Sequence, residues 1–289
     1  MGSIMRLVRP HQYLKNGFVL LGPLFAHEWG LQMLGLAGLT FLAFCAMASA
    51  VYVLNDIMDV EADRLHPVKC QRPLASGAVP LRMAGVLFAL LVLLSLGLSL
   101  SVGFWVVVCT LSYLFINILY SWRLKHVVIL DVFLISSGFM LRIMAGTVGL
   151  GIAPSSWLLL CGLMVTLFLG FSKRRAELLM LEGEEAGSRL IRRVLDDYNS
   201  QMLEQFIAIS AACTILAYGL YTVAPQTIEL HGSPNLIYTL PFVVYGIFRY
   251  LFLLHRRNGG SDTAKDLLQD PHLLLTAGLW VACTLWVLR

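Results

Sequence analysis

Nine long apolar runs, separated by charged residues or by Gly and Pro, most restrict what this chain can fold into. They lie at 13–28, 32–54, 81–100, 103–120, 127–147, 155–172, 200–223, 236–254 and 272–288. A helix needs about 20 predominantly apolar residues to cross bilayer hydrocarbon, and most of these runs are of that order. The first is short and interrupted by Gly22-Pro23. Composition points the same way. Only 13% of the residues are charged, where a soluble domain carries about 25%, and mean hydropathy is +0.77. The fold expected is all-α and integral to the membrane: nine transmembrane helices forming one membrane-embedded domain over 1–289.

The loops between the runs alternate between basic and nearly uncharged. Apart from Arg142, Arg249 and Arg289, every Lys and Arg falls in the N-terminus or in 55–82, 121–126, 173–193 and 255–265. Positive loops stay cytoplasmic. The expected placement is therefore a multi-pass protein of the cytoplasmic (inner) membrane, with the N-terminus inside and the C-terminus outside. The later outer links "SLSVG", "GLGIAPSS" and "APQTIELHGSPN" carry only Glu229 and His231 as ionisable groups. Polar chemistry thus gathers on the cytoplasmic side. A transporter would distribute ionisable groups near the midplane of several helices, so a divalent-cation transporter fits poorly. The six cysteines are scattered without a CxxC pair, giving neither a zinc site nor a disulfide framework. A net charge of +4 is too small and too localised for nucleic acid.

The second run ends in "YVLNDIMDVEADRLHP". If that helix continues past the bilayer surface, Tyr52, Asp56, Asp59 and Asp63 recur at i, i+4, i+7 and i+11 and share one face, with Asn55 beside it. Stacked carboxylates repel, so a solvated helix end gains nothing from them. Hard divalent cations do: magnesium takes oxygen ligands, and one or two carboxylates together with substrate phosphates commonly hold it. Asp56, Asp59 and Asp63 are the expected ligands of Mg2+, with Mn2+ as an alternative ion. The following loop, "HPVKCQRPLASGAVP", supplies Lys69 and Arg72, cations suited to completing a diphosphate clamp.

"NDIMDVEADR" resembles the NDxxDxxxD motif of the UbiA superfamily of intramembrane prenyltransferases, through Asn55, Asp56, Asp59 and Asp63. The resemblance implies a nine-helix bundle around a cytoplasm-facing cavity. The DG…AR element of the CDP-alcohol phosphotransferases is absent. Members acting on aromatic acceptors usually carry a second acidic motif, roughly DxxxD, after the sixth span. Here "GFSKRRAELLMLEGEEAGSRLIRRVLDDYNSQ" places Lys173, Arg174 and Glu177 where the helix leaves the membrane, and Asp196-Asp197 come much later. A cationic wall suits a second anionic substrate better than an uncharged phenol.

"RPHQYLKN", which contains Lys15, and "YSWRLKHVVILD", which contains Tyr120, Lys125 and Asp131, are similar to the decaprenyl-phosphate phosphoribosyltransferase subgroup. So are "SSGFMLRIMAG" and "SKRRAEL". The likeness runs from about Arg9 to Asn199, with Arg175 standing where an aromatic residue is expected. In the fifth span Asp131 and Arg142 are nearly in phase, but about 16 Å of helix rise keeps them from pairing directly. Each could line a cavity or pair with another helix.

The resemblance implies a transferase moving 5-phosphoribosyl from phosphoribosyl diphosphate to a polyprenyl phosphate, and the residues themselves supply its anion-and-metal site. Asp56, Asp59 and Asp63 hold the metal, and Asp131 stands beside the sugar. Lys15, Asn55, Lys69, Arg72, Tyr120, Lys125, Arg142, Lys173, Arg174 and Glu177 bind substrate. The second reading is a prenyl diphosphate:aromatic prenyltransferase using the same acidic motif, which leaves the basic later loop unexplained. The polyprenyl tail would lie in the lipid bilayer, and a homo-oligomer is compatible with the sequence. The segment 255–270 is flexible through Gly259-Gly260 and could cover the site.

Overall fold

The computed structural model describes residues 2–65, 68–182, 197–256 and 269–288, and those residues form helices and turns with no strand. Among the described residues, seven helical stretches are long and apolar enough to cross a membrane. They coincide with seven of the nine expected spans. The last expected span is a shorter apolar helix, Pro271–Val287. The first is not one helix: a 3-10 stretch, Pro10–Leu20, runs into a single short α-helix, Leu21–Phe25. Pro23 and the two glycines there deprive a regular helix of hydrogen bonds and rigidity.

The chain divides into two compact units, residues 1–125 with 138–153, and residues 126–137 with 154–289. In chain order the first unit contains α1 (Gly2–Val8), α2 (Leu21–Phe25), α3 (Leu31–Met58), α4 (Val60–Leu65), α5 (Leu81–Val102) and α6 (Phe104–Trp122). Helix α7 (Leu130–Gly146) begins in the second unit and ends in the first. The second unit continues with α8 (Ser156–Glu182), α9 (Ser200–Val223), α10 (Pro225–His231), α11 (Leu240–Arg256) and α12 (Pro271–Val287).

In the first unit α3 packs along α5. Ala43, Ala46, Ala48 and Ala50 keep the α3 surface low, and Ser95 of α5 donates to the Ala43 carbonyl at 2.8 Å. Small residues and such cross-helix hydrogen bonds substitute for the hydrophobic drive that lipid does not provide. Phe44, Met47 and Val51 of α3 meet Cys109 and Tyr113 of α6, Ala145 of α7 and Val19 of the 3-10 stretch in one buried cluster. A second cluster, Leu7, Val53, Leu74, Val79 and Ala84, fastens α1 and the loop after α4 to the end of α3. That fastening brings Arg9 and Arg72 to the acidic stretch. The N-terminal segment also lies close against the end of α7. A Cβ on Gly22 would fall on the Gly146 carbonyl, and one on Gly146 would fall on the Val19 carbonyl. Irregular backbone at membrane depth survives only where protein covers it.

In the second unit Phe168 and Phe171 of α8, Leu203 and Ile207 of α9, and Ile247, Tyr250 and Leu254 of α11 form the core. Gly170 admits Val132 of α7, whose Cγ1 would stand 2.6 Å from a Cβ there. Asn199 caps α9 by accepting from the Met202 amide, and Asp270 caps α12 by accepting from the Leu273 amide. Arg175 donates to Glu204 of α9 at 2.9 Å and to the Leu254 carbonyl at 3.3 Å, so it ties three helices where an aromatic residue was expected.

Candidate active site

The continuous acidic face expected beyond the second span is interrupted. Helix α3 stops at Met58, Asp59 takes φ −94° and ψ 4°, and α4 resumes at Val60. The Asp59 amide still donates to the Asn55 carbonyl, and the Asp63 amide to the Asp59 carbonyl, so the axis shifts without unravelling. The shift separates the three carboxylates by partner. Asp56 is 2% exposed and its Oδ1 receives Arg9 at 2.6 Å and Arg72 at 3.2 Å. Asp63 is 4% exposed and its Oδ2 receives the same Arg72 nitrogen at 2.7 Å. Asp59, the more exposed of the three, pairs with Lys125 at 3.0 Å. Carboxylates at a helix C-terminus face the unfavourable end of its dipole, and these cations offset both that field and the mutual repulsion.

Asn55 is fixed by Ser121 of α6, whose hydroxyl donates to Asn55 Oδ1 at 2.5 Å. Tyr120, its neighbour on α6, is half-buried. Lys69 lies in the 3-10 turn Lys69–Gln71 just ahead of Arg72, and Lys15 lies in the 3-10 stretch, both half-buried. Arg9 belongs to this group but was not singled out from the sequence. It carries φ 52°, ψ 60° immediately before Pro10, and its guanidinium sits 5.0 Å from the Tyr52 ring centroid. No sequence signal marks it beyond its place in "RPHQYLKN".

Among the described residues no three Asp, Glu, His or Cys side chains converge as a ready metal cradle. The donor set nevertheless suits magnesium. Asp56 Oδ2 is buried without a hydrogen-bond partner, hard carboxylate oxygens are at hand, and this ion needs only one or two of them beside phosphate and water.

Arg142 lies elsewhere in the first unit, 5% exposed. Its Nε donates to Asn16 Oδ1 at 2.7 Å, Nη1 to the Gly138 carbonyl at 2.7 Å, and Nη2 to the Tyr113 hydroxyl at 3.2 Å. The rings of Phe44, Tyr113 and Phe139 surround it at 4.6 to 5.6 Å. Neutral acceptors and π-faces thus solvate a cation in an apolar setting, and through Asn16 they hold the 3-10 stretch.

The remaining expected residues are in the second unit. Asp131, expected beside a sugar, is enclosed at 0% exposure, and Arg174, expected on an open basic wall, is 1% exposed. Arg174 Nε lies 2.6 Å from Asp131 Oδ2, and the same guanidinium contacts Glu177. Opposite charges are far cheaper to bury together than apart, which accounts for the departure. Lys173 stays 38% exposed, 4.0 Å from Glu177. Tyr198, unforeseen, completes the cluster: it donates to Asp131 Oδ1 at 2.9 Å and accepts from the Ile129 amide at 2.6 Å. Burial pushes the Tyr198 phenol up, so it remains a donor. Ile129 has φ 67°, an outlier for a β-branched residue, and that amide contact holds it there. Asp196 and residues 257–268 lie outside the described residues.

The sequence pattern of the UbiA prenyltransferase family matches residues 17–269. This chain belongs to the UbiA prenyltransferase family. UbiA relatives include the decaprenyl-phosphate phosphoribosyltransferase of Corynebacterium glutamicum, 35% identical over 97% of this chain and 85% of that protein. The decaprenyl-phosphate phosphoribosyltransferase of Mycobacterium tuberculosis is 34% identical over 97% of this chain and 92% of its own length. A solved UbiA homolog from Archaeoglobus fulgidus bound to GPP and Mg2+ shares the fold, with a TM-score of 0.74, 18% identity and 99% of each chain covered. As a UbiA family member with its apolar helices, the chain is a multi-pass membrane protein.

Proposed function

We propose that this protein transfers 5-phosphoribosyl from phosphoribosyl diphosphate to a polyprenyl phosphate and releases diphosphate. The observation that carries the reading is the acidic site itself. Three carboxylates, one with a buried oxygen lacking a partner, stand beside Arg72 and Lys125. Alternating charge of that kind suits a metal-bound diphosphate, whose oxygens take the cations while the carboxylates take the metal. The names of the phosphoribosyltransferase relatives supply the substrate classes.

Asp56, Asp59 and Asp63 would hold Mg2+, with Mn2+ as the alternative, and the ion would neutralise the departing diphosphate. Arg72, Lys69 and Lys125 bind its oxygens. The anomeric C–O bond to diphosphate breaks as a lipid phosphate oxygen bonds to the same carbon, with inversion. That oxygen is already anionic, so no general base is required. Lys173 is the contact for the lipid phosphate, and the buried Arg174, with Asp131 and Glu177, sets its surroundings. Lys15, Asn55 and Tyr120 line the donor site, and Arg142 shapes it by holding Asn16. The polypeptide acts as one domain that crosses the inner membrane nine times. Its N-terminus is inside, its C-terminus is outside, and its cavity faces the cytoplasm.

The test is incubation of purified protein with magnesium, radiolabelled phosphoribosyl diphosphate and a polyprenyl phosphate, followed by organic extraction. Label should enter the organic phase. Label confined to water, together with turnover of a prenyl diphosphate and hydroxybenzoate, would sink the proposal.

A further inference from the structure

We infer that Arg9 is a further donor-site residue, one that competes with a divalent cation for Asp56 and takes up diphosphate when displaced. The inference rests on the acidic site being the donor site, and it extends that reading to a residue with no assigned role.

Asp56 Oδ1 already receives two guanidinium groups, Arg9 at 2.6 Å and Arg72 at 3.2 Å. A divalent ion taking the free Oδ2 would bring two positive charges against both guanidinium groups, and their repulsion favours release of one. Arg72 is also anchored by Asp63 at 2.7 Å, whereas Asp56 is the carboxylate partner found for Arg9 among the described residues. Arg9 is the easier group to release. Its backbone is unusual too: a non-glycine residue at φ 52° directly before a proline. Left-handed backbone is unfavourable for an L-residue, and such strain concentrates at ligand clamps and switch positions. The Tyr52 ring offers the guanidinium a second surface, 5.0 Å away, so release from Asp56 leaves it near the site.

A guanidinium parted from its carboxylate beside a buried acidic site needs a new anion. Two parallel N–H donors match phosphate oxygens as well as they match carboxylate. Metal alone therefore leaves Arg9 uncompensated, while metal with diphosphate satisfies every charge. The two ligands should bind cooperatively, with Arg9 carrying part of the coupling.

The experiment is equilibrium dialysis of the full-length protein in detergent against Mn2+, with and without inorganic pyrophosphate. In the unmodified protein pyrophosphate should tighten manganese binding. Arg9→Gln should tighten binding of manganese alone by roughly tenfold and reduce the pyrophosphate enhancement by a similar factor. These opposite signs distinguish a charge exchange from general damage, which would weaken both. Arg9→Lys keeps the charge but loses the paired donors, so it should retain part of the enhancement. It serves as the readout if the glutamine variant does not fold. An Arg9→Gln protein that binds manganese alone no tighter than the parent overturns the role of Arg9. Asp56→Asn separates the two ideas: if it abolishes pyrophosphate-dependent binding while the Arg9 variants change nothing, only the Arg9 role fails. If Asp56→Asn binds manganese and pyrophosphate like the parent, the acidic-site reading fails and takes the inference with it.

Discussion

Arg174 Nε and Asp131 Oδ2 lie 2.6 Å apart, and neither side chain is more than 1% exposed. A buried pair contributes little net stability against an apolar replacement of both partners, but removing one partner strands the other. Arg174→Leu should cost about 3–5 kcal/mol, seen as a lower midpoint of thermal unfolding in detergent. Lys173→Ala, which removes a half-exposed charge 4.0 Å from Glu177, should leave that midpoint nearly unchanged and weaken saturation by the lipid phosphate. Equal effects of the two on the midpoint would contradict the distinct roles assigned to them.

Tyr198→Phe removes one hydroxyl and two hydrogen bonds at once, those to Asp131 and from Ile129. Leaving a buried partner unsatisfied costs about 1–3 kcal/mol. Ile129, at φ 67°, loses the contact that holds it. The expected outcome is reduced stability, with faster amide exchange at Ile129 measured by hydrogen–deuterium mass spectrometry. Unchanged exchange would show that the backbone holds itself.

Arg142 donates to three acceptors on separate parts of the first unit. Lysine presents a compact ammonium and cannot reproduce the fork. Arg142→Lys should therefore lower stability by about 1–3 kcal/mol and raise the KM for phosphoribosyl diphosphate through movement of the 3-10 stretch. Asn16→Ala should act in the same direction. A KM unaffected by either change would detach this knot from donor binding.

The Arg249 guanidinium that hydrogen-bonds Asp270 holds its carboxyl down at about 2, below the value near 3.9 of an unfolded chain. Since the folded value is the lower, the stabilisation is complete above about pH 4 and fades as pH falls toward 2. Asp270→Asn should remove that acid-side dependence and loosen the N-terminus of α12. Denaturant midpoints of both proteins across pH 2 to 6 would check it: parallel curves would refute the assignment.

Asp59→Asn should nearly abolish transfer while leaving the fold intact, because Asp59 is the least buried of the three carboxylates. Turnover assays beside a thermal scan give both readings. Activity retained at more than a tenth of the parent would remove Asp59 from the metal site.

Long-helix boundaries were legible because length, apolarity and loop charge are local properties. So was the nearness of Asp56 and Asp63, which share Arg72, since their spacing is written in successive helix turns. The break at Asp59 was not, as neither proline nor glycine marks it. Asp131 and Arg174 were read as separate actors because the register of α7 against α8 depends on Gly170 receiving Val132, a fit between distant stretches. Arg9 was hidden for another reason: its contact with Asp56 comes with a left-handed backbone, and an Arg-Pro dipeptide ordinarily signals extended chain.

Gly22 and Gly146, where backbone touches backbone, have a bearing well beyond their own contact. A single added methyl at either position would lever the N-terminal arm off α7, and Asn16, Lys15 and Arg9 travel on that arm. Alanine there should mimic the loss of donor-site side chains that remain chemically intact. At the proposed donor site, such a change would weaken phosphoribosyl diphosphate binding through two hydrogens that no ligand ever meets.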